Sequence, residues 1–455
     1  MLNSGRYRLP GASAGAAMLA LVVLACTQSP DVPTDGSGMA SAKPAGGTGP
    51  TVTSTNPPYG HQGDAGLVVG ITGSGFAPGA VATWERNGSP DPKVTVNSTR
   101  YISSTQLEAN ITIAADATIS LYDVAVTAGG KKGIGTERFE VSTAIAILGA
   151  GLARGVNNTG EITGRDPVYL WSPSTGLDTI ATGGAGWGVS EDGQTVVGGL
   201  GNGSVTGTIP MVWTRNGSGW AATSLPRSSG AKAGNAQAVA SNPSTNSATA
   251  IGGVETFVLK GNSFRREPRV WLWTGSAWQL KVLRGAAGGT EGQVHDLNAG
   301  LVAAGNTPSG ATIWTPNGSG GWTATVIGPA GSDANAINSA GDLAVGASGN
   351  VAVYWTRSAS GWSGPIALPG GCTNASDMAD NGRIVTNLCP VSSIRKTSAV
   401  IEPPYGPGNV TFLSGFGSST DGAQVEAISR DGHWIVGRAA YGNNNTIVAA
   451  YWNMF

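Results

Sequence analysis

One repeating pattern limits what this chain can fold into. From residue 143 to 455 a short apolar strand, a tight turn ending in Gly and a second strand ending in Gly recur, followed by a Trp. The cleanest copies are Ala153–Gly164 (ARGVNNTGEITG), Gly186–Gly198 (GWGVSEDGQTVVG), Ala334–Gly346 (ANAINSAGDLAVG) and Val425–Gly437 (VEAISRDGHWIVG). Weaker copies start at Ala236, Val294 and Ser376, which makes seven. The repeat Trp residues read as Trp171, Trp213, Trp273, Trp314, Trp355 and Trp452, with Ile401 in the sixth place. A unit of roughly 40–60 residues with four short strands cannot bury its own apolar face and must stack on its neighbours. The pattern therefore predicts an all-β chain whose larger part is a β-propeller, seven-bladed by this count.

The turn glycines Gly160, Gly193, Gly300, Gly341, Gly382 and Gly432 fit a left-handed position that closes a tight turn. Two units depart: the third stretches its turn to Ser241–Asn246, and the sixth puts Asn387 where the strand-ending Gly is expected. The array opens on Ala144–Leu148, a fourth strand without its first three. It ends on Val448–Trp452, a third strand without its fourth. Pairing these N- and C-terminal strands would close the ring and remove both sheet edges.

Residues 50–142 alternate apolar and polar side chains in short runs bounded by turn residues, as in Leu107–Ile113 (LEANITI) and Leu121–Thr127 (LYDVAVT). That spacing predicts a small antiparallel sandwich. The segment resembles the IPT/TIG family of immunoglobulin-like domains in "NPP" (Asn56–Pro58), "ITGSGF" (Ile71–Phe76), "SSTQLEA" (Ser103–Ala109) and the closing Phe139 of "ERFEV". The resemblance implies an Ig-like fold used as a spacer, dimerisation or binding module, with no shared catalytic residues. The 143–455 repeats resemble the HAF family of bacterial extracellular repeats, "A-x-x-[IV]-N-x-x-G-x-[IV]-V-G … W", a family that brings no established reaction.

The first 25 residues read as an export leader: Arg6 and Arg8 precede the small, apolar run Gly11–Ala25. That run is short for a membrane span and suits a signal peptide. Its end, Val23-Leu24-Ala25-Cys26, resembles the bacterial lipobox, which implies a signal peptide over 1–25 and lipid attachment at Cys26. Ordinary cleavage beside a chance Cys is the alternative. Residues 26–49 are rich in Gly, Ser and Pro and read as a flexible tether. The expectation is an exported lipoprotein anchored in the bacterial cell envelope, at the outer membrane or cell surface. In such a compartment Cys372 and Cys389 are expected to close a disulfide, the alternative being two buried thiols.

Charged residues are only 12% of the chain and the net charge is −1, so no basic field exists to hold nucleic acid. The three His (His61, His295, His433) fall in different units, which argues against zinc. No nucleophile elbow, P-loop or strict dinucleotide-binding motif is present, and no cofactor or metal is expected. The leading expectation is a non-catalytic binding or scaffold lipoprotein whose partner is a surface glycan, another surface polymer or a protein. The alternative is a carbohydrate-active enzyme with a propeller catalytic domain, since two carboxylates can meet from distant blades. A quinone-dependent or electron-transfer propeller enzyme is a third class, with no cofactor site specified. The candidate ligand-binding residues are Lys260, Phe264, Arg265, Arg266 and Arg269, in a segment (253–269) read as a long connection. Exposed Arg beside an aromatic suits an acidic polymer or carboxylated sugar; a solvated hairpin with scattered charge is the plainer reading.

Overall fold

A computed structural model describes residues 49–142, 145–201, 207–260, 263–390, 396–413, 423–441 and 446–454. Cys26, with the leader and most of the tether, lies outside the described residues. Among those described, the regular elements are strands, apart from two single-turn 3₁₀ segments at Pro369–Gly371 and Pro407–Asn409. The protein is all-β.

Residues 51–142 form two sheets around one core. Thr51–Asn56, Leu67–Ser74, Gln106–Ile113 and Val94–Ser103 make the first sheet, in that order. Tyr59–His61, Lys131–Ser142, Ser120–Ala128, Val81–Arg86 and Ser89–Pro90 make the second. Alternation builds the interface: along Gln106–Ile113 every second side chain is buried. Trp84 and Phe139 meet edge to face at 5.5 Å in the core, beside Ile71, Leu107 and Tyr122.

The repeats form seven antiparallel sets of four strands, of which the first two are joined into one eight-stranded sheet where Arg165 pairs with Ala185. Their first strands are Leu152–Val156, Ala185–Val189, Ala233–Ser241, Gln293–Leu297, Ser332–Ile337, Asn374–Met378 and Gln424–Ile428; the sets are numbered I to VII in that order. In sets I to VI the strands follow chain order. Set VII takes three strands from the C-terminal end, and its fourth is Ile145–Ala150, which runs antiparallel to Thr446–Asn453 with Ile145 opposite Trp452. Each apolar cluster is shared by two consecutive sets; the one holding Leu148, Val436 and Ala449 also holds Ala153, Ile162 and Tyr169, joining VII to I.

The third strand of each set carries the repeat Trp, or Ile401 in set VI, opposite a small or apolar residue of the second. The pairs are Ile162–Trp171, Val196–Trp213, Ile251–Trp271, Ala303–Trp314, Ala344–Trp355, Ile384–Ile401 and Ile435–Trp452. In set III this position belongs to Trp271, not to the expected Trp273. Trp271 is fully buried and donates Nε1–H to the Pro226 carbonyl at 2.8 Å, whereas Trp273 packs against Trp278 and is 42% exposed. Two further expectations shift by one residue. In set IV the left-handed turn position is Leu301 (φ 59°), not Gly300. In set VI the register of the strand-ending glycines falls on Thr386, not Asn387. Asn387 instead ties set VI to set VII, donating to the Val425 carbonyl at 2.7 Å and accepting from its amide at 2.9 Å.

Candidate functional site: a channel lined by seven bulged strands

The first strand of every set breaks register with the second at the same place. Each break is a β-bulge, and the residues it skips are Arg154, Trp187, Gln237, His295, Asn335, Ser376 and Glu426. A bulge bends its strand and re-aims the extra side chain. All seven skipped residues line one cavity of about 360 Å³. The residue after each bulge is small in five strands: Gly155, Gly188, Ala238, Ala336 and Ala427. Space explains the glycine in set I, where a Cβ on Gly155 would lie 2.5 Å from the Trp187 carbonyl oxygen. The two exceptions are Asp296 and Asp377.

These two carboxylates play the same local part. Asp296 accepts from the amides of Leu297 (2.7 Å) and Ile337 (2.9 Å), which links set IV to set V. Asp377 accepts from Met378 (2.8 Å) and Ile428 (2.9 Å), which links VI to VII. Arg430, on the S-R-D-G turn of set VII, reaches across the channel. Its Nη2 lies 3.1 Å from both oxygens of Asp296 and its Nη1 2.5 Å from the Ile337 carbonyl. Burial opposes the Arg430 charge, but Asp296, Asp377 and Asp380 hold the guanidinium firmly protonated. Burial, helped by the Asp296 charge, pushes the Asp377 carboxyl up to about 7.

Around the ring of bulged residues the polar groups divide into two arcs. On sets V to VII they are partnered within the protein. Asn335 donates to Asn374 Oδ1 (2.7 Å) and the Ala375 carbonyl (2.8 Å), and Ser376 accepts from Asn387 (2.6 Å). Glu426 pairs with Arg154 Nη1 at 2.8 Å. On sets I to IV buried polar atoms are left over: Arg154 Nε, Gln237 Oε1 and His295 Nε2 have no hydrogen-bond partner, although His295 Nε2 faces Asp333 Oδ1 at 3.9 Å. Burial pushes the His295 imidazole below its ordinary range, so it is neutral near pH 7. Trp187 completes this arc, with the Arg154 guanidinium 4.4 Å over its ring. Among the described residues, no group of three or more His, Cys, Asp or Glu side chains is placed to hold a metal.

The site residues read from sequence lie beside this channel, and strand alternation divides them. The segment is two arms of a long hairpin, Ala248–Val258 and Phe264–Trp273, rather than a loop. Arg269 faces inward and is 1% exposed. Its Nε meets Glu255 at 2.6 Å, and its Nη2 meets Glu267 at 2.7 Å. It is a buried structural cation and is withdrawn as a ligand-binding residue. Arg265, on the same face, pairs with Glu267 at 2.5 Å. Phe264 and Arg266 face the other way, the guanidinium 5.9 Å from the ring, and Arg266 Nη1 donates to Gln293 at 3.5 Å. Arg266 and Gln293 border a side pocket of about 240 Å³ whose other walls include Trp187 and Gln237 of the channel. Lys260 is exposed in the hairpin turn. Cys372 and Cys389 are joined by a disulfide in set VI.

The channel residues were not singled out from sequence, although a positional signal for them exists. Counting back six positions from the left-handed turn residue reaches Arg154 from Gly160, Trp187 from Gly193, His295 from Leu301 and Glu426 from Gly432. The stretched third turn hides Gln237 from this count.

No protein-family model matches the chain, and no curated protein matches it. Solved structures match at low identity. One is a protein of unknown function from Bacteroides thetaiotaomicron, 14% identical, covering 91% of this chain and 100% of its own, with a TM-score of 0.36. Another is a gluconolactonase from Xanthomonas campestris, 10% identical, covering 69% of this chain and 90% of its own, with a TM-score of 0.35. Likeness at this level carries no argument about the fold or activity of this chain.

Proposed function

We propose that this chain is a cell-envelope lipoprotein that binds a ligand without transforming it. In this reading Cys26 carries the lipid and residues 26–49 are the tether. An Ig-like domain of the IPT/TIG type follows over 50–142, and the HAF-like repeats over 143–455 form a seven-bladed propeller closed by Ile145–Ala150. The closure reading is supported by the pairing of that strand with Thr446–Asn453 and by the apolar cluster that joins sets VII and I. The binding reading rests on one observation: seven bulges in equivalent places turn seven different side chains into one cavity. Each bulge leaves one residue out of the ladder and re-aims its side chain, here towards the cavity in all seven sets.

The enzyme alternative has one observation in its favour. Asp296 and Asp377 share a channel, and the neutral lean of Asp377 beside a cation-paired Asp296 resembles an acid and its ionised partner. Against it, both carboxylates already hold backbone amides of the next set, and Asp296 is also clasped by Arg430. Two measurements test the proposal. Cys26→Ser should move the protein from the membrane fraction to the soluble one, and a salt-resistant membrane-bound variant would remove the anchor. Incubating the full chain with a polysaccharide panel should leave every polymer uncleaved; cleavage abolished by Asp377→Asn would establish the enzyme instead.

A further inference from the structure

Resting on the channel as the binding site, we infer that its ligand is an uncharged polyhydroxylated molecule of sugar size, held against the Arg154–Trp187–Gln237–His295 arc. Both cations on the cavity wall are already paired, Arg154 with Glu426 at 2.8 Å and Arg430 with Asp296 at 3.1 Å. Burial lowers the His295 imidazole and raises the two remaining carboxyls, Glu191 and Asp377, so all three lean to their neutral forms. An anionic ligand would find no free cation here and a cationic one would face carboxyls that resist ionisation, so either would lose its hydration without a strong ion pair in return.

The unpartnered atoms specify the rest. Arg154 Nε is a donor, Gln237 Oε1 an acceptor, and His295 Nε2 is either, according to tautomer. A ligand that satisfies all three must donate and accept at neighbouring positions. Hydroxyl groups do both, and a ring bearing several of them presents them a few ångströms apart. The same arc holds Trp187, whose ring carries the Arg154 guanidinium at 4.4 Å and offers its remaining apolar surface to the C–H face of a sugar ring. The opposite arc, on sets V to VII, is satisfied within the protein, so the ligand is expected to lie to one side of the channel. A cavity of about 360 Å³ sits at the small end of ligand sites. The side pocket of about 240 Å³ shares Trp187 and Gln237 with it. A second sugar unit would lie there, below Arg266 and Gln293.

The test is calorimetric titration of the full-length chain with glucose, galactose, mannose, xylose and cellobiose, beside glucuronate and glucosamine as charged counterparts. Gln237→Leu removes the acceptor at nearly constant volume, Trp187→Ala removes the aromatic surface, and Arg357→Ser, at an exposed position of set V, is the control. Thermal melting establishes that each variant folds. The expected result is binding of at least one neutral sugar, weakened about tenfold or more by Gln237→Leu and unchanged by Arg357→Ser. Preferential binding of glucuronate or glucosamine, lost in the channel variants, would overturn the ligand class and leave the channel as the site. Binding indifferent to both channel variants, or no binding by any probe, would overturn the ligand class and the channel reading together.

Discussion

Arg430 and Asp296 lie 134 positions apart in the chain, and the guanidinium Nη2 sits 3.1 Å from both oxygens of the carboxylate. The pair spans from set VII to set IV across the channel. It is mostly buried, with the two side chains 24% and 15% exposed. Arg430→Met would leave Asp296 and Asp377 as neighbouring carboxylates without their cation. Breaking one partner of a buried pair costs about 3–5 kcal/mol. Urea denaturation at pH 7 should show a loss of that order, part of it recovered by the double variant Arg430→Met/Asp296→Asn. No recovery would mean that Arg430 acts by packing rather than by charge.

Asp377 gives the channel a pH dependence of known sign. The unfolded carboxyl releases its proton near pH 4, but the folded one holds it to about 7. Between those values the unfolded state binds fewer protons, so stability is greatest on the acid side and falls as pH rises towards 7. Burial raises Glu191 and Glu426 as well, which adds in the same direction. The effect is bounded by about 1.4 kcal/mol per unit of pKa difference. His295, lowered by burial, contributes with the opposite sign, so the comparison with a variant isolates the carboxyl: from pH 4 to pH 8 the denaturation midpoint of the parent chain should fall relative to that of Asp377→Asn.

Much of the all-β plan was legible because its causes are local. A tight turn needs a left-handed residue, and a strand packed against the next set needs a large apolar one; Gly and Trp mark these positions. The channel was not legible because its column is filled by Arg, Trp, Gln, His, Asn, Ser and Glu, which share a bulge and no chemistry. The charge cluster at 260–269 was over-read for a related reason. Read as a loop, its Arg residues form one surface. On a strand of period two, Arg265 and Arg269 turn inward to Glu267 and Glu255, and only Arg266 faces the side pocket.

That division can be checked directly. Arg269→Met should strand the buried Glu255 carboxylate and leave Glu267 with Arg265 as its one cation, at a cost of about 3–5 kcal/mol. Arg266→Ser should alter stability by under about 0.5 kcal/mol, as surface changes do. Thermal denaturation of both variants separates the roles; equal melting temperatures would contradict the assignment.

The pairing of Ile145–Ala150 with Thr446–Asn453 has its own observable. Amides of both strands should exchange with solvent as slowly as the other third- and fourth-strand amides, because they share one sheet. Fast exchange confined to 145–150 would mean that set VII has an open edge.

The most direct measurement of the channel's role is a crystal structure of the full chain grown with saturating cellobiose, the probe long enough to reach both the channel and the side pocket. The account places one sugar ring on Trp187, with hydroxyl oxygens within hydrogen-bond distance of Gln237 Oε1 and His295 Nε2, and the second ring below Arg266. A channel without sugar, or sugar held only on the outer strands beside Trp273 and Trp278, would contradict it.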